Sequence, residues 1–250
     1  MVAEAATATR SDRSGAEVET GEAIRLDHLV RRYGEREAIA DVSVRLARGE
    51  TLAVMGRNGA GKTTLLRVLA TLLLPHGGSV QVLGRELPRH ASELRRQIGM
   101  VGHETLLYRD LTARENLGFY ARLYGVPHAP ERIEELLHAT DMRRRASEPV
   151  ATLSRGMAQR IAVCRAVLHS PELLLLDEPN AHLDPEAAAL VEPLIGRSAG
   201  CTRVLVSHDV EAAVRDADRV LGLRDGRVVL DAPAAEVTPS SLRDVYGGPR

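Results

Sequence analysis

An apolar run over residues 51–55 leads directly into Gly56-Arg57-Asn58-Gly59-Ala60-Gly61-Lys62-Thr63-Thr64 and then into a helical stretch over 63–73. This spacing is that of a phosphate-binding loop. Successive backbone N–H groups wrap the phosphates of a nucleotide, and a Lys ammonium reaches the outer oxygens. Such a loop must join a strand to a helix, which commits the chain to an α/β layer arrangement. Lys62 is the single Lys among 33 basic residues. A compact ammonium suits the cradle, whereas the planar fork of Arg would fill it poorly.

Composition supports the same class. The chain has 250 residues, with one Phe, five Tyr and no Trp, so its core must be built from Leu, Val, Ile and Ala. Its length fits one large domain or two small ones, at roughly 100–200 residues each. A formal net charge of −1 argues against a partner held by bulk electrostatics, and no nucleic acid is expected. Cys164 and Cys201 lie outside any metal-ligand spacing and read as small hydrophobes. Residues 1–22 contain acids and no apolar centre, as expected for a disordered tail and not for a targeting segment. No apolar run approaches the roughly 18–20 residues that span a bilayer. The chain is therefore expected to be soluble unless a partner holds it at a membrane.

Strand patterns recur at 24–29, 42–46, 51–55, 79–82, 98–101, 173–177, 203–207 and 219–223. Those at 51, 173 and 203 are nearly all apolar, as in a parallel sheet covered on both faces. Helical patterns lie at 63–73, 185–197 and 210–216, the second with Pro at its first position. Asp225-Gly226 between two strands predicts a hairpin. Residues 104–170 read as a helical insertion: a capping box at Thr112 and Glu115 opens one helix, a second follows Pro130, and a third starts near Arg155. Four of the six aromatics fall between Tyr108 and Tyr124, a cluster that suits a local core or a contact surface. The expected division is a tail over 1–22, a nucleotide-binding domain over 23–232 and a short C-terminal tail over 233–250.

The chemistry extends beyond the loop. The strand at 173–177 ends in Asp177 and Glu178, so two carboxylates emerge at the sheet edge where nucleotides bind. Asp177 is placed to hold Mg²⁺ beside the Thr63 hydroxyl, and Glu178 to polarise an attacking water. Leu153-Ser154-Arg155-Gly156-Met157 precedes an apolar helix. A hydroxyl, a glycine backbone and free N–H groups at a helix start form an anion site.

With these motifs in this order, the sequence resembles the ATP-binding-cassette (ABC) subunits from about residue 24 to 231, and 153–157 resembles their signature motif, usually with Gly where Arg155 stands. The resemblance implies a RecA-like P-loop NTPase core with an antiparallel β subdomain and an inserted α-helical subdomain. It implies that Tyr33 stacks on adenine, that residues 56–64 hold ATP, and that His208, in Ser207-His208-Asp209, contacts the γ-phosphate. Lys62, Glu178 and His208 would then carry catalysis. Asn180–Asp184 resembles the loop linking two active sites, with Asp184 intact and residues 180–182 unusual. The signature residues Ser154 and Gly156 close, in this family, over nucleotide held by a second subunit. A second ATPase subunit, most simply a homodimer, and a multi-spanning permease docking near residues 103–124 are therefore implied, at the cytoplasmic face of the cell membrane.

One departure narrows the resemblance. His103 stands where most cassettes have a Gln that contacts Mg²⁺ and senses the membrane partner. Together with the Arg155 form of the signature and the Tyr-rich stretch to Tyr124, this is similar to the haem-exporter subunits of cytochrome c maturation, although Glu104 stands where those often have Gln. Haem export is the expectation this supports. Other exporters of drugs, lipids or polysaccharides, and a soluble ATPase of cofactor assembly, are the alternatives.

Overall fold

A computed structural model describes residues 21–247. Two sheets organise it. A four-stranded antiparallel sheet runs in the order β2 (Arg36–Ala47), β1 (Glu22–Tyr33), β4 (Gly77–Val82), β5 (Arg85–Glu86). A six-stranded sheet runs in the order β10 (Arg227–Pro233), β9 (Arg219–Arg224), β3 (Thr51–Met55), β8 (Thr202–Val206), β7 (Leu173–Asp177), β6 (Ile98–Val101). Within it β9, β3, β8, β7 and β6 are parallel, and β10 closes one edge antiparallel to β9.

The apolar runs in the sequence are apolar because both faces of this sheet are covered. Alternate residues of each strand enter opposite cores. Leu52, Val54, Leu173 and Leu175 pack on one side with the antiparallel sheet and α1 (Lys62–Leu69). Ala53, Met55, Leu174 and Leu176 pack on the other with the helices of the insertion. The insertion contains α3 (Ala113–Tyr124), α4 (Ala129–Ala139) and α5 (Arg155–Val167). α3 opens with the expected capping box, in which Thr112 Oγ1 accepts from the Glu115 amide while Glu115 accepts from the Thr112 amide, and ends at left-handed Gly125. Such a cap contributes about 1 kcal/mol. α6 (Pro185–Ile195) and α7 (Val210–Asp216) follow β7 and β8, and the four-residue α2 (Ala91–Leu94) precedes β6.

Four details differ from the sequence reading. α1 ends at Leu69 and not at residue 73, because Thr71 adopts φ +63° and its Oγ1 accepts from Arg95 Nε at 2.8 Å. The strand at 203, read as nearly all apolar, buries its one charged residue, Arg203, at 2% exposure. Its guanidinium reaches Asp216 Oδ2 at 3.1 Å, Thr51 Oγ1 at 3.1 Å and the Ile195 carbonyl at 3.0 Å. The span read as a short tail from 233 turns once through 234–236 and then forms α8 (Pro239–Tyr246), with Val245 fully buried. Of the span read as a disordered tail, residues 1–20 lie outside the described residues, and Glu22 already opens β1. Among the described residues no helix is long and apolar enough to cross a membrane.

The hairpin between β9 and β10 turns at Asp225 (φ +51°) and Gly226 (φ +76°), as the Asp-Gly pair predicts. Its tip ties three elements together: the Ala40 amide donates to Gly226 O at 2.8 Å, and the Gly226 amide donates to Ala60 O at 3.2 Å. β2, the hairpin and the phosphate-binding loop are thus held in one place.

A nucleotide cleft and a separate signature surface

The loop between β3 and α1 wraps around its own lysine. Lys62 Nζ donates to Gly56 O at 2.7 Å and to Arg57 O at 3.1 Å. Gly56 is obligatory: its φ is +145°, and a Cβ there would lie 2.2 Å from the Leu223 carbonyl oxygen. Burial pulls the Lys62 ammonium below the ordinary lysine range, opposed by the charges of Asp177 and Glu178. Those carboxylates arrive at the end of β7. Thr63 Oγ1, in the first turn of α1, donates to Asp177 Oδ2 at 2.8 Å, and Asp177 is 6% exposed.

Glu178 follows in the left-handed region at φ +55°, and its amide donates to Val206 O at 2.9 Å. This turn aims its carboxylate at the loop after β8, where His208 Nε2 lies 2.6 Å from Glu178 Oε1. Ser207 Oγ accepts from the Asp209 amide at 3.1 Å and Asp209 caps α7, so the loop carrying His208 is braced from both sides.

Lys62, Thr63, Asp177 and Glu178 line a cleft of about 460 Å³ with Tyr33, Arg36, Asn58, Gly59, Gly61 and Thr64. His208 lines a neighbouring cavity of about 510 Å³ that shares Glu178 with the cleft. Tyr33 is 45% exposed, with the Arg31 guanidinium 5.1 Å from its ring centroid, and presents a ring at the mouth. Arg36 was not predicted. Its Nη2 donates to Gly59 O at 3.2 Å, a contact that no motif signals because it depends on where β2 passes the loop. A cavity of about 550 Å³ lies against Arg48, Glu172 and Cys201 and contains none of the predicted residues.

Ser154, Gly156, Asp184 and His103 are not among the residues that line the cleft. Ser154 caps α5 by accepting from the Met157 amide at 3.2 Å and is exposed. Gly156 touches the loop after β7, where a Cβ would meet His182 O at 2.8 Å. Asp184 caps α6 through Ala187 N at 2.8 Å. The unpredicted Gln159, 4% exposed, joins this second surface to the cleft by donating to Pro179 O at 3.0 Å, one residue beyond Glu178. His103 is exposed, two residues past the end of β6, and does not line the cleft.

The cleft's donors suit a magnesium nucleotide. A hydroxyl and a carboxylate oxygen are hard ligands, and Mg²⁺ takes one or two of these beside substrate phosphates. Among the described residues no cluster of three or more His, Cys, Asp or Glu stands ready to hold a metal unaided.

A P-loop at the C-terminal edge of a parallel sheet, with paired acids on the neighbouring strand, defines a nucleotide-hydrolysing P-loop protein. The family model described as "ABC transporter" matches residues 39–181. The chain is 38% identical to the daunorubicin resistance ATP-binding protein DrrA3 of Streptomyces coeruleorubidus, over 91% of this chain and 72% of that one. It is 34% identical to the ABC transporter ATP-binding protein NatA of Bacillus subtilis, over 82% and 87%. Among solved structures, an ATP-binding subunit of an ABC transporter superposes with a TM-score of 0.79 at 29% identity, over 90% and 95%. A dimeric ATP-binding cassette bound to ADP and Pi does so with 0.77 at 27% identity, over 84% and 98%. The chain belongs to the ABC transporter family. It is an ATP-binding subunit whose ATP hydrolysis is coupled to transport.

Proposed function

We propose that this chain is the motor of an ABC exporter, working as a homodimer beneath a separate multi-spanning permease at the cytoplasmic face of the membrane. The observation that carries the reading is the Thr63–Asp177 and Glu178–His208 pairing over the phosphate loop, with Ser154 and Gly156 on a different surface. Lys62 and the amides of residues 56–64 bind the triphosphate, and Tyr33 stacks on the base. Thr63 and Asp177 would hold Mg²⁺, which would supply positive charge to the phosphates. Glu178 orients the attacking water and His208 holds that carboxylate in place. Catalysis of this kind is positioning plus electrostatics.

Because Ser154 lies outside the cleft, it serves nucleotide held by a second copy. Residues 23–232 form this ATPase unit, to which α8 adds a further packed element. Dimerisation tests the split site: Glu178→Gln protein with saturating MgATP should run as a dimer in light scattering. A monomer under those conditions overturns the two-subunit mechanism.

The permease docks near residues 103–124. Support comes from Leu106, Tyr108 and Leu123, exposed by 47%, 51% and 60% on this stretch. Co-purification with a multi-spanning protein from membranes is expected, and recovery only in a cytosolic complex would overturn it. Two cargoes are supported by particular observations. His103 and Arg155 favour haem for cytochrome c biogenesis. A second reading, a drug-like or lipid-like amphiphile, draws on relatives named for daunorubicin resistance and for Nod factor export, the latter 33% identical in Ralstonia nicotianae over 89% of this chain and 72% of that one. Stimulation of ATP turnover in the reconstituted complex by haem, or by the amphiphile, decides between them.

A further inference from the structure

The helix α5 meets the loop that leaves β7 twice, through Gly156 and Gln159, which share one face of the helix. Gly156 packs beneath His182, where a Cβ would lie 2.8 Å from the carbonyl oxygen. Gln159, 4% exposed, donates from Nε2 to Pro179 O at 3.0 Å. A long amide side chain is thus buried, with its donor on the residue that follows Glu178.

Glu178 needs such support. Its φ of +55° lies in the left-handed region, and a residue before proline is further confined towards extended backbone. A conformation of this kind persists only where its surroundings hold it. The Glu178 amide is tied to Val206 O at 2.9 Å, and the Ala181 amide donates back to Glu178 O at 3.0 Å. Between these ties stands Pro179. Its ring fixes φ, so ψ is its one soft dihedral, and ψ sets the direction of the carbonyl that Gln159 holds. Rotation there would draw Ala181 away from Glu178 O and release the carboxylate from His208.

We propose that Gln159 is a positioning residue for Glu178: its amide fixes the Pro179 peptide and so keeps the Glu178 carboxylate against His208. The role rests on the reading of Glu178 as the group that orients water on ATP. It predicts a loss in the chemical step with nucleotide binding unchanged, because Gln159 does not line the cleft.

The test compares the full chain with Gln159→Met, which keeps the length and unbranched shape of the side chain and removes the donor. The kcat for ATP should fall about twofold to tenfold, the span of one hydrogen bond, while KM and the Kd for a fluorescent ATP analogue stay unchanged. In a Glu178→Gln background the same substitution should lower the residual single-turnover rate no further, since its effect runs through the Glu178 carboxylate. Hydrogen exchange on the nucleotide-free proteins should be faster at the Ala181 amide in the variant. Should Gln159→Met fail to fold, Gln159→Asn, which keeps the amide but withdraws it by one methylene, takes its place with the same expectations. Unchanged kcat overturns the proposal, as does a full further loss in the Glu178→Gln background, the mark of a merely structural role. If the wild-type chain hydrolyses no ATP, the ATP reading falls. The exchange comparison, which needs no nucleotide, still judges the Gln159 contact, and unchanged exchange at Ala181 overturns it.

Discussion

Nε2 of His208 lies 2.6 Å from Oε1 of Glu178, and the two side chains come from loops that follow adjacent parallel strands. Asp177 pairs with Val206 in that register, so Glu178 and His208 emerge one and two residues past the last rung. The positive φ of Glu178 turns its carboxylate towards the neighbouring loop. Backbone geometry at the ends of the two strands sets the contact.

His208→Ala should therefore cost turnover more than binding. A carboxylate free to leave its attack geometry loses about a hundredfold in rate. Steady-state ATPase assays beside nucleotide titrations check this, and weakened binding with kcat unchanged would assign His208 to binding alone.

Lys62→Arg keeps the positive charge and is expected to abolish ATP turnover. The ammonium threads between the carbonyls of Gly56 and Arg57, at 2.7 and 3.1 Å, where a planar guanidinium cannot satisfy both. Normal ATPase activity in this variant would make the lone Lys an accident of composition.

Arg203 is a structural liability held in check by its partners. Arg203→Leu should lower stability by about 3 kcal/mol, because Asp216 and the carbonyls of Ile195 and Asp216 lose their donor in a buried setting. Urea denaturation measures the loss. Adding Asp216→Asn to the variant should restore part of it, and a double variant no better than the single would show that charge is not the cause.

Acid should weaken the fold through His169. This ring stacks on Tyr124 at 4.0 Å between centroids, and its Nε2 lies 3.1 Å from Ile98 O. Burial holds its pKa below the ordinary 6.5, opposed by the hydrogen bond to Ile98 and aided by the charge of Arg165. Between the folded value and 6.5 the unfolded chain binds more protons, so stability present above that window is lost as pH falls through it. His169→Phe keeps the ring contact, and its Tm should fall less than that of wild type between about pH 7 and about pH 5. Identical pH slopes would remove His169 from the account.

Much of this was written in the chain order. The loop over 56–64, the acids ending β7 and the capping box at Thr112 follow from local rules of spacing, because each depends on residues within a few positions of one another. Tyr33 and His208 could be named only by resemblance, and Arg36 and Gln159 not at all. Arg203 broke an apolar pattern whose compensating groups, Thr51 and Asp216, are distant in sequence.

Strand alternation, helix caps and the glycine-rich loop are legible in chain order, since short-range sterics and hydrogen bonding set them. Which side chains meet depends on how the strands and helices pack. Sheet order brings β7 beside β8, so that Glu178 finds His208, and α8 packs over β9 with Val245 against Gly222. The physical reason is that such contacts arise from packing two faces of one sheet, and packing joins residues that no local pattern relates.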